Sequence, residues 1–81
     1  MTRAEQTRGE RMRELGERID EGRRAVRLRA GNATHQASVH GHPLRHRFAQ
    51  IAFRVSGVDV HFECSWDAVA RAVLDEKTLI G

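Results

Sequence analysis

The sequence predicts an α+β fold: an N-terminal helix, a four-stranded antiparallel meander and a C-terminal helix, with both helices packed on one sheet face. Three observations predict it: a helical apolar stripe near the N-terminus, period-two alternation through the middle, and a second helical stripe near the C-terminus. With 81 residues, 40% of them apolar and 31% charged, the chain fits one small globular domain over residues 1–81.

The first helix is expected over residues 1–22. Its apolar stripe consists of Met12, Leu15 and Ile19, at spacings of three and four. Thr2 and Thr7 each precede a glutamate by three residues, the pattern of a capping box, and Gly22 suits the C-terminal end. The stripe is narrow, so it can dock on a sheet or pair with a second copy of the chain, which would make a homodimer through this helix.

The antiparallel sheet is expected over residues 24–64. Its strands are expected over residues 25–30, 33–39, 44–55 and 58–64. Gly31-Asn32 is a two-residue turn signal between the first two strands, and Ser56-Gly57 is the corresponding signal between the last two. Residues 41–43 form the remaining loop.

The hairpin around Ser56-Gly57 is the best-specified element. A two-residue turn there pairs apolar residues on one face: Val55 with Val58, Phe53 with Val60, Ile51 with Phe62, and Ala49 with Cys64. The other face pairs Arg54 with Asp59, Ala52 with His61, and Gln50 with Glu63. Phe48 has the wrong parity for this register, so a bulge or twist is expected near it.

The second helix is expected over residues 65–77, with Ser65 as its N-cap. Its apolar stripe consists of Trp66, Val69, Ala70, Val73 and Leu74. Leu79 and Ile80 are expected to cover an edge of the core. The uncovered sheet face would then be polar and open to water.

Charge is unevenly distributed along the chain, whose net charge is +3 with histidine neutral. Residues 32–57 hold three arginines, four histidines and no acid, whereas residues 58–81 carry a net charge of −3. A basic surface suits an acidic protein partner or phosphate groups. The candidate partner-binding residues are Arg27, Arg29, His40, His42, Arg45, Arg47, Arg54 and His61.

The pattern favours a protein without catalysis, metal or cofactor. His40, His42 and His46 lie within seven residues, and Cys64 could add a fourth ligand, but Cys64 has core-side parity and arginines flank the cluster. His61 and Glu63 could act as a general acid–base pair, yet a flat sheet face offers no pocket that excludes water from such a catalytic site. Known phosphate-binding and nucleophile motifs are absent from the sequence.

The order of elements resembles a double-stranded-RNA-binding domain, with Gly41-His42-Pro43 in the place of its minor-groove loop. In that family lysines at the start of the last helix grip phosphates; here that helix begins Ser65-Trp66-Asp67, so no residue roles are carried over. In size and lack of catalytic apparatus the chain also resembles the small inhibitors carried by phages and mobile elements, anti-CRISPR proteins among them.

These observations predict a small inhibitor or regulator that docks a basic face on an acidic surface of a larger protein. The alternative is a DNA- or RNA-binding module that uses the arginine-rich strands. One cysteine, no signal-like N-terminus and no stretch long enough to span a membrane predict a cytoplasmic protein that does not act at a membrane.

Overall fold

The computed structural model describes residues 7–20 and 25–81. Its elements are helix α1 (Arg8–Asp20), strands β1 (Ala25–Ala30), β2 (Ala33–His40), β3 (Ala49–Val55) and β4 (Val58–Cys64), helix α2 (Trp66–Leu74) and strand β5 (Leu79–Ile80). The strands form one sheet in the order β4-β3-β2-β1-β5. An α+β fold is therefore confirmed.

Both predicted hairpins form with the predicted registers. All seven pairs between β3 and β4 are those that the sequence predicts, from Val55 opposite Val58 to Ala49 opposite Cys64. Ser56 and Gly57 have φ angles of 51° and 77°, which is typical of a type I′ turn and matches the twist of the strands. Gly31-Asn32 likewise sets Ala30 opposite Ala33.

The prediction of a purely antiparallel four-stranded meander is wrong, because β5 adds a fifth strand that runs parallel to β1. The second helix also ends at Leu74 rather than at residue 77. Glu76 takes a left-handed φ of 54°, and the Lys77 N–H donates to the Arg71 carbonyl at 3.3 Å. This reversal brings Leu79, which is buried, alongside β1.

The third strand begins at Ala49, five residues later than predicted. Residues 41–48 form a loop instead, because the N–H groups of Arg45 and His46 both donate to the His42 carbonyl, at 3.0 and 2.8 Å. The chain therefore turns where the strand was expected. The parity conflict at Phe48 is resolved by the late start of β3, without a bulge in the β3–β4 register.

Helix α1 starts at the second of its two predicted caps. The Glu10 N–H donates to Thr7 Oγ1 at 3.2 Å, and the Arg11 N–H donates to the Thr7 carbonyl at 3.1 Å. The other predicted cap, Thr2, and the predicted helix end at Gly22 lie outside the described residues. In α2 the predicted N-cap is confirmed, since the Ala68 N–H donates to Ser65 Oγ at 3.2 Å.

The core lies between the helices and alternate residues of the central strands. Its buried members are Met12, Leu15, Ile19, Val26, Leu28, Ala37, Val39, Ala49, Ile51, Trp66, Val69, Ala70, Leu74 and Leu79. The whole stripe of α1 is therefore used inside the molecule. An ion pair between Arg11 and Asp75, 3.1 Å apart and partly buried, also ties α1 to the end of α2.

The β3–β4 hairpin extends past the best-covered part of the core. Phe53 and Phe62, predicted to be core residues, are half-buried, and Val58 is 60% exposed. The Phe53 ring packs between His35 and Phe62, at centroid distances of 5.3 and 6.3 Å. The apolar side of the hairpin is thus partly open to solvent.

Candidate functional site

The open sheet face carries five of the eight predicted binding residues, all of them exposed: Arg27, Arg29, His40, Arg54 and His61. The strand registers order them along the face. His40 lies opposite Gln50 at the end next to the 41–48 loop, and Arg29 lies near the opposite end. Because these positions alternate with buried ones on β1 and β2, the pleat directs their side chains away from the core.

Arg54 is less available than the sequence suggests. Its Nε and Nη2 donate to the two carboxylate oxygens of Asp59 at 2.9 and 3.3 Å, so the pair is bidentate. This cross-strand ion pair neutralises much of the charge at that end of the face. Arg27 and Arg29, in contrast, have no acidic partner within residues 7–20 and 25–81.

The 41–48 loop adds a second basic region with apolar side chains beside it. Arg45 and Arg47 are exposed and make no ion pair with any residue that the structure describes. Leu44 is 63% exposed and Phe48 46% exposed, and the Arg47 guanidinium carbon lies 5.5 Å from the centre of the Phe48 ring. A guanidinium this close to a ring is attracted to its face, which favours this placement of the Arg47 side chain.

His42 does not belong to the exposed set, contrary to the prediction. It is half-buried against α1, where its Nε2 lies 3.3 Å from Asp20 Oδ2, and its Nδ1 accepts a hydrogen bond from the Leu44 N–H at 3.1 Å. Gly16 makes room for it, since a Cβ at that position would lie only 2.8 Å from the imidazole. His42 therefore anchors the loop.

His46 is a second anchor of the same loop. Its Nδ1 accepts the His42 N–H at 2.9 Å, and its carbonyl accepts the Trp66 indole N–H at 2.8 Å. Trp66 is buried, so this bond ties the loop to the start of α2. Both histidines are thus engaged in holding backbone, which explains their close spacing without a ligand.

The remaining chemistry-bearing groups are dispersed. The part of the chain that the structure describes brings no three His, Cys, Asp or Glu side chains together as a metal-binding group. Ser38 Oγ lies 3.1 Å from His40 Nε2, but this pair stands on the open face. Desolvation raises the pKa of the half-buried Cys64 thiol, which disfavours the reactive thiolate.

The structure brings Leu44 and Phe48 into the candidate site, although the sequence reasoning missed both. The sequence predicts that both lie in an extended third strand, which in the structure begins only at Ala49. The wrong parity of Phe48 was a signal that the strand begins later and leaves these side chains outside. We define the candidate surface as two groups of exposed residues: Arg27 and Arg29 on the open sheet face, and Leu44, Arg45, Arg47 and Phe48 on the 41–48 loop.

Comparison with protein-family models, with curated proteins and with solved structures finds no match to this chain. Neither described helix is both long and apolar enough to cross a membrane.

Proposed function

We propose that this protein is a small non-catalytic inhibitor or regulator that docks the candidate surface on an acidic surface of a larger protein. The observation that carries the proposal is the 41–48 loop, where Arg45 and Arg47, which have no acidic partner among the described residues, adjoin exposed Leu44 and Phe48. Arg27 and Arg29 add exposed positive charge on the open sheet face. Unpaired charge that points to solvent is available to an opposite charge on a partner.

The loop has the composition of an interface centre. Aromatic residues and arginine contribute most to binding where an apolar centre is surrounded by polar contacts. Phe48 and Leu44 supply apolar area, and Arg45 and Arg47 supply bidentate donors for carboxylates. Since His42 and His46 already fix the loop backbone, less backbone entropy remains to be lost on binding.

Nucleic acid is the competing partner, because arginine also binds phosphate. Single-strand recognition uses several aromatic side chains as stacking platforms. Phe53, Phe62 and Trp66 all lie on the core side, which leaves Phe48 as the one exposed phenylalanine or tryptophan among the described residues. One exposed phenylalanine beside arginines suits a protein surface better than a strand of bases.

The first experiment is affinity capture from a lysate of the source cell, followed by titration of each purified candidate with the protein. R45E/R47E should weaken a true complex at least tenfold. The control is R13E/R71E, which changes two exposed arginines on the helices. Each double change takes the net charge from +3 to −1, because two arginines are lost and two glutamates gained.

R13E/R71E should bind as the wild type does. Equal weakening by both double variants would show that the attraction follows net charge alone, and would contradict a defined surface. An L44S/F48S variant, which leaves the charge unchanged, should also weaken the complex because it removes the apolar centre.

The second experiment measures binding to a duplex and to a single strand of random sequence over a salt series. Weak binding that fades at moderate salt supports the protein partner. Tight binding near physiological salt that is lost in R45E/R47E would replace this proposal with the nucleic-acid one. In that case the logarithm of the binding constant should fall with the logarithm of the salt concentration, with a slope of about −0.7 to −0.9 per phosphate contact.

A further inference from the structure

Strand β4 leaves one long edge of the sheet unpaired. Its seven residues pair with β3 on one side, and no strand among the described residues lies on the other side. The opposite edge of the sheet ends in β5, which is only two residues long and therefore a poor template. β4 contains no proline and no bulge, two devices that commonly protect an edge from pairing.

The turn geometry fixes which backbone groups face outward. In a two-residue type I′ hairpin the residues that flank the turn, here Val55 and Val58, exchange hydrogen bonds, and every second pair does the same. Val58, Val60 and Phe62 therefore bond to β3. The N–H and C=O groups of Asp59 and His61 point away from β3, where they can form hydrogen bonds with another strand.

The geometry points to a second copy of this chain as the occupant of that edge, in an antiparallel β4–β4 pairing centred on Val60. In this register Val60 faces Val60, Asp59 faces His61 twice, and Val58 faces Phe62 twice. Asp59 and His61 form the hydrogen-bonded pairs, as their outward backbone groups require. The result is one continuous sheet of ten strands.

The charges on β4 favour this register over its neighbours. Centring on His61 would set Asp59 against Glu63 twice, and centring on Asp59 would set that carboxylate against its own copy. Like charges directly opposite are destabilising. The chosen register avoids them, because Asp59, which already pairs with Arg54 on β3, then faces His61 of the second copy rather than a carboxylate. The chosen register also places apolar residues opposite apolar residues at the three positions that face the core side.

The exposed apolar side of the hairpin supplies the second reason for a copy of the same chain. Val58 is 60% exposed, and Val60 and Phe62 are half-buried. Pairing covers each Val58 with Phe62 of the second copy. The stripe on α1, predicted as a possible dimer surface, lies in the core, with Leu15 and Ile19 fully buried, so it offers no area for this purpose.

A disulfide tests the register directly, in a Cys64→Ala background. V60C sets two thiols opposite each other in a non-hydrogen-bonded pair, with Cα atoms about 4.5 Å apart, a separation that a disulfide spans. The control is V58C. Val58 is the more exposed residue, but the two copies of it would lie about 13 Å apart, four residues of strand.

Under mild oxidation V60C should become a covalent dimer on a non-reducing gel, while V58C stays monomeric. Circular dichroism must show that both variants keep the wild-type fold. Cross-linking of V58C at the same rate as V60C, or failure of V60C to cross-link, would overturn the inference.

Sedimentation equilibrium tests the charges in the unmodified protein, whose chain mass is 9.2 kDa. H61K should strengthen the dimer and H61E weaken it, so that their dissociation constants differ about tenfold or more. The matched controls are Q50K and Q50E on β3, whose dissociation constants should not differ from each other. A wild type that stays monomeric at all concentrations, or equal constants for H61K and H61E, would reject the pairing. The proposed function does not depend on it.

Discussion

Gly16 lies inside α1, where glycine costs about 1 kcal/mol relative to alanine, yet we expect its replacement by alanine to destabilise the protein. A Cβ at residue 16 would lie 2.8 and 2.9 Å from two atoms of the His42 imidazole and 3.7 Å from Pro43. Carbon contacts are optimal near 3.5–4.0 Å, so the ring would have to move by roughly 0.7 Å or more.

The imidazole is not free to make that movement. It accepts the Leu44 N–H on one side and approaches Asp20 on the other. Overpacking of this kind costs about 1–3 kcal/mol. After subtraction of the gain in helix propensity, G16A should lower the free energy of unfolding by about 1 kcal/mol. In an H42A background the imidazole is absent, and G16A should raise the free energy of unfolding by about 1 kcal/mol.

The assay is urea unfolding of the wild type, both single variants and the double variant, followed by helical circular dichroism and Trp66 fluorescence. The double-mutant cycle should give a coupling energy of about 2 kcal/mol. G9A is the control: a Cβ there meets only Thr7 Oγ1, at 3.9 Å, so its effect should be the same in both backgrounds. If G16A stabilises the wild type as much as the H42A variant, His42 does not pack on Gly16 and the anchoring argument fails.

Three further predictions concern the sheet, the second helix and the cysteine. Phe53→Ala and Phe62→Ala should each lower the free energy of unfolding by about 2 kcal/mol, less than for fully buried rings, whereas Gln50→Ala should change it by under about 0.5 kcal/mol; equal effects in chemical unfolding would contradict the register. Ser65→Ala should cost about 1 kcal/mol in thermal unfolding, and Ser65→Asp should retain the cap. Because burial raises the pKa of Cys64, the folded state holds the thiol proton more tightly, so stability should fall as pH rises past the ordinary thiol pKa of 9.0; a Cys64→Ala variant should lose that part of the pH dependence.

The registers of the two hairpins could be predicted from the sequence because each depends on local chemistry. Gly31-Asn32 and Ser56-Gly57 are short turns that fix the pairing of their flanking residues, and alternation fixes the faces. β5 could not be predicted in this way. A two-residue strand has no period, and its position depends on Glu76 taking a left-handed conformation for which glutamate gives no signal.

The exposure of the site residues on a strand could be predicted from the sequence, whereas the contacts of the residues in the 41–48 loop could not. Arg27 and Arg29 are exposed because their neighbours on β1 are buried, a pattern that the sequence displays. The role of His42 rests on a contact with Gly16, twenty-six positions earlier in the chain, and sequence spacing carries no information about it. The sequence predicts the correct face for Arg54 and its true neighbour, Asp59, but it does not show that the pair closes with bidentate geometry. An Arg54→Glu change would set two carboxylates opposite each other, so Arg54 is unsuited to a test of binding alone.

In the 41–48 loop, the residues that anchor the loop differ from those proposed to bind a partner. His42 and the His46 carbonyl face inward and hold the loop to α1 and α2, whereas Arg45 and Arg47 face solvent. The inward contacts restrict the loop before a partner binds. A partner that binds the outward residues therefore loses less conformational entropy of the loop, although it does not touch the inward contacts. It follows that loss of the His42 anchor should weaken a complex through the loop conformation, whereas loss of Arg45 and Arg47 should weaken it with little change in stability. The two effects can be separated, because only the first should be accompanied by a lower free energy of unfolding.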